Sequence, residues 1–77
     1  MTRDTWVFTF GAGHAFVNQY VTIAGEYLNA RMIMFDHFGY KWCEQYSNKI
    51  GMEVVKEYGL SFLPESEWPR PGDPNHI

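Results

Sequence analysis

Bulky rings crowd residues 6–46, interspersed with small or polar residues, and this constrains the fold more than any other feature. Three Trp, five Tyr and six Phe among 77 residues are more than one helix can hide in so small a domain. Some rings are therefore expected to face a partner, a ligand or a second copy of the chain.

The stretch TWVFTF (residues 5–10) alternates Trp6, Phe8 and Phe10 with Val7 and Thr9 and reads as a strand. Two glycines in Gly11-Ala12-Gly13-His14 break the pattern, and the chain to Gln19 reads as a connection longer than a tight hairpin turn. YVTIA (20–24) resumes the alternation as a second strand, with Val21 and Ile23 on one face. Residues 26–38 place Tyr27, Ala30, Met34 and Phe38 at helical steps, with Leu28, Met32 and Phe35 widening the apolar stripe. Glu26, Asn29 and Asp36 mark the wet side, and Gly39 stands at the C-cap. KWCEQY (41–46) predicts a third strand with Trp42, Glu44 and Tyr46 on one side. Asn48 is expected to cap a short helix over 49–58, with Met52, Val55 and Tyr58 on one face and Gly59 at its end.

The expected fold is a small α+β domain of order ββαβα over residues 1–60. Its three-stranded sheet packs on one main helix, and a proline-rich extended tail follows over 61–77. Pro64, Pro69, Pro71 and Pro74 exclude a further helix or central strand there, while Phe62, Leu63 and Trp68 are expected to pin the tail. Residues 72–77 are expected to be loose.

A formal charge of -3, with six Lys+Arg against nine Asp+Glu, argues against direct binding to duplex DNA and suits approach to a basic surface. No apolar run is long enough to span a bilayer. The single Cys43 and the lack of a leader pattern point to a reducing cytoplasm. His14, His37, Cys43 and His76 match no zinc spacing, so no metal or other cofactor is expected. Cys43 also lacks an activating motif, and the chain reads as a non-enzyme.

Two sets of candidate site residues emerge. Trp6, Phe8, Tyr20, Trp42 and Tyr46 are the candidate anchors for a protein partner or for a homodimer, because aromatic groups bring large contact area with little rotamer entropy. His14, Asn18, Arg31 and Lys41 are the candidate contacts for the phosphate or ribose of a small nucleotide, with rings stacking on its base. The ordinary alternatives are a connecting loop at 11–14, an Arg31 paired or snorkelling to water, and a private aromatic core.

Read together, FTFG (8–11), His14, YVTIAG (20–25), ARMIM (30–34) and FGYKWCEQY (38–46) resemble a class of short bacteriophage and prophage proteins. The resemblance implies a mobile-element protein acting in the cytoplasm of a bacterial host. It also implies antagonism of host immunity by stoichiometric binding to a defence effector, in the manner of an anti-CRISPR inhibitor. A protein that sequesters a small nucleotide immune messenger is the first alternative, and a structural homo-oligomeric phage protein the second.

Overall fold

The computed structural model describes residues 4–39 and 42–71. The elements run β1 (Asp4–Phe10), β2 (Gln19–Gly25), α1 (Tyr27–Phe38), β3 (Trp42–Ser47), α2 (Asn48–Tyr58) and β4 (Ser61–Phe62), followed by a 3-10 turn over Glu65–Glu67. The α+β class holds, but among the described residues the sheet has four strands in the order β3-β1-β2-β4. β1 pairs antiparallel with both β2 and β3, and β4 pairs parallel with the start of β2 through Gln19↔Ser61 and Tyr20↔Phe62.

β1 is buried on both faces, with Val7, Phe8, Thr9 and Phe10 all in the interior. Its alternation is one of size as well as polarity, and the two faces take different helices. The large rings of Phe8 and Phe10 meet α1, which buries Ala30, Met34 and Phe38 at four-residue steps. Phe10 and Phe38 lie 5.0 Å apart between ring centroids, and Phe16 adds an edge-on contact to Phe38 at 5.6 Å. Burying a side chain such as Phe8 contributes about 1.5–3 kcal/mol.

The smaller Val7 and Thr9 lie on the opposite face, which α2 covers. This helix approaches closely because Gly51 has no side chain: a Cβ there would sit 2.3 Å from Val7 Cβ. Ser47, one residue before the expected cap, holds the helix start by accepting a bond from Ile50 N at 3.4 Å. Gly59 ends it in the left-handed conformation, with φ 62.

Pairing between β1 and β3 shifts register between Thr9↔Glu44 and Phe10↔Trp42, so Cys43 is an extra residue at a bulge. The expected shared face of Trp42, Glu44 and Tyr46 is thereby corrected. Trp42 turns to the α1 side, edge-on to Phe8 at 5.2 Å, whereas Tyr46 pairs with Val7 on the α2 side.

The segment from residue 61 is not merely an extended tail. Its first residues form β4, Leu63 is fully buried, and Trp68 packs on the core. The Trp68 indole donates to Leu63 O at 3.1 Å and stacks edge-on to Phe38 at 5.5 Å. His37 Nδ1 lies 2.8 Å from Pro69 O, which ties the end of α1 to this segment. The expectation of looseness at 72–77 lies outside the described residues.

Candidate functional site

The five aromatic anchors expected on one surface divide between the two faces of the sheet. Phe8 is 0% exposed and Trp42 9%, so both serve the core and offer no surface for a partner. Trp6 is half-buried, edge-on to Tyr27 at 5.2 Å, and its indole donates to Gly25 O at 3.0 Å. Tyr20 and Tyr46 lie half-buried on the opposite face. Tyr20 stacks against Phe62 at 5.5 Å, and burial, with Glu44 and Cys43 nearby, pushes the Tyr46 phenol above its ordinary range.

Of the nucleotide-binding set, the described residues His14, Asn18 and Arg31 each engage separate local partners. His14 belongs to the β1–β2 loop, where its Nδ1 accepts from Phe16 N at 3.1 Å and its ring lies 4.7 Å from that of Phe10. Burial holds its pKa below the ordinary value, which favours neutral imidazole over the cation that a phosphate would prefer. Asn18 takes the left-handed conformation, with φ 69, and its carbonyl accepts from Ser61 N at 2.9 Å. Lys41 lies outside the described residues.

Arg31 has local partners. Its Nη1 donates to Tyr27 Oη at 3.1 Å and to Gln45 Oε1 at 3.0 Å, and its guanidinium carbon lies 4.9 Å from the Trp42 ring centroid. Gln45 in turn donates to Tyr27 O at 3.1 Å, so Arg31, Gln45 and Tyr27 lock α1 to β3. The indole nitrogen of Trp42, buried beneath them, has no acceptor among the described residues.

Beside this lock lies a feature that the sequence pattern assigned to the interior. Leu28 is 67% exposed, Met32 62% and Phe35 41%. Their four- and three-residue steps place them on one stripe of α1, distinct from the buried stripe of Ala30, Met34 and Phe38. Phe35 stacks on Trp42 at 5.8 Å, so the stripe runs along the β3 side of the helix on a rigid support. Its signal in the sequence was an excess of apolar residues over what one face of α1 can bury.

Cys43 is exposed at the bulge. Among the described residues no group of three His, Cys, Asp or Glu is placed to hold a metal ion, and no helix is long and apolar enough to cross a membrane. The described residues offer contact surface rather than a convergent set of polar groups. No protein-family model, curated protein or solved structure matches this chain.

Proposed function

We propose that this chain is a non-catalytic binding protein that docks on a partner protein through the α1 stripe of Leu28, Met32 and Phe35. The single observation carrying this reading is the exposure of three large apolar side chains in helical register on a braced helix. The helix-in-groove mode uses such spacing, with anchors one helical turn apart entering a groove on the partner. The formal charge of -3 favours a partner with a basic surface. The resemblance to phage and prophage proteins supports reading that partner as a bacterial immune effector, which the chain would inhibit by occupying it.

Co-expression with an active CRISPR system in a phage-challenged bacterial host tests this. The wild-type chain is expected to restore plaque formation, and a Leu28→Asp, Met32→Glu double variant to lose that effect while keeping its melting temperature. Loss of two such anchors costs at least about 2 kcal/mol, roughly a thirtyfold fall in affinity. A folded double variant that protects phage as well as the wild type would refute the stripe. A wild type without effect on any immune system tested would refute immune antagonism. Sedimentation over a concentration series identifies the homodimer alternative, in which the same substitutions abolish self-association.

A further inference from the structure

The β2 strand has one edge only partly covered. The carbonyl of Tyr20 accepts from Leu63 N at 2.9 Å, and there β4 ends. Backbone groups two residues apart in a strand point the same way, so Thr22 and Ala24 direct their N–H and C=O groups to the same side as Tyr20. The chain instead turns away into Glu65–Glu67, and no backbone bond from that side reaches Thr22 or Ala24 among the described residues. Ala24 is exposed and Thr22 half-exposed.

This open edge borders a groove of about 370 Å³ between α1 and the 3-10 turn. Ile23, Ile33 and Trp68 give the groove apolar walls, and Glu65 stands at it as an exposed carboxylate. His37, also at the groove, is engaged by Pro69 O. A long aliphatic side chain with a cationic end matches this arrangement: its stem lies on the isoleucines, its charge meets the Trp68 ring and pairs with Glu65.

We propose that an extended peptide segment bearing a Lys or Arg adds as a strand along Thr22 and Ala24, with that side chain in the groove. Main-chain bonds to β2 supply the binding register, and Glu65 with Trp68 supplies the preference for a basic residue. This site flanks α1 on the side facing β2, whereas the stripe of Leu28, Met32 and Phe35 flanks it on the side facing β3. The two bind independently, and this inference does not rest on the stripe.

The test is an NMR titration of the full chain with a blocked peptide of Thr, Val, Lys, Val and Thr, alongside a second peptide with Glu replacing Lys. The Lys peptide is expected to shift the Thr22 and Ala24 amides and the Trp68 indole, and to slow amide exchange at Ala24 by about tenfold or more. Glu65→Gln, at an exposed position, is expected to weaken the Lys peptide about fivefold. The Leu28→Asp, Met32→Glu variant should bind it as the wild type does, which separates failure of this site from failure of the stripe. Equal binding of both peptides, shifts confined to other residues, or no shifts at peptide concentrations on the order of millimolar would each overturn the proposal.

Discussion

His14 illustrates how a residue type suggestive of chemistry is spent on structure. Its Nδ1 must be unprotonated to accept from Phe16 N, and burial favours the same neutral form. Because its folded pKa lies below 6.5, the unfolded chain takes up the proton more readily. The stabilisation is therefore complete above pH of about 6.5 and is lost as pH falls through the lowered folded value. Thermal melts from pH 8 to pH 5 are expected to show a steeper loss for the wild type than for His14→Asn, which supplies a neutral acceptor. Matching pH profiles for the two proteins would disprove this role. The sequence marked His14 as a loop residue with a polar task, but the task depends on Phe10 and Phe16 closing around it, which spacing alone does not convey.

Among the elements, α2 depends most narrowly on a single position. Gly51→Ala inserts a methyl group where Val7 already stands, so helix and sheet must separate or Val7 must move. Overpacking of this kind costs about 1–3 kcal/mol, more than the gain in helix propensity from Gly to Ala of about 1 kcal/mol. Denaturant unfolding should register a net loss, and Gly51→Ala with Val7→Ala should recover part of it. An unchanged midpoint in the single variant would show that the close approach is not strained. The strands β1 and β2 and both helices were legible because their periods repeat over several residues. β4 was not, since two residues carry no period and their pairing with β2 depends on a distant stretch of chain. The facing of Trp42 was also hidden: the Cys43 bulge inverts an alternation that reads as continuous. In α1 the apolar residues encircle most of the helix, so the sequence located the helix without separating its buried stripe from its exposed one.

At the scale of the whole molecule, the core is closed by residues far along the chain from the sheet centre. Leu63 is 1% exposed among Phe8, Phe38 and Met34, although its neighbours Phe62 and Pro64 read as part of a tail. Leu63→Ala is expected to cost about 2–5 kcal/mol, a large share of the roughly 5–15 kcal/mol available to a natural domain. Calorimetry should show a melting temperature lowered by at least several degrees; a shift of less than about 2 °C would mean that the segment only covers the core.

The placement of β1 carries a consequence for the order in which the protein is made. β1, an inner strand of the sheet, precedes in the chain its neighbours β2 and β3, the helices on its two faces and Leu63, and so is synthesised before all of them. Until residue 63 has emerged, the nascent chain exposes a string of Trp6, Val7, Phe8 and Phe10 with nothing to complete the fold around it. A chaperone that recognises short apolar segments thus finds a target in β1, and its release waits on the burial of Leu63.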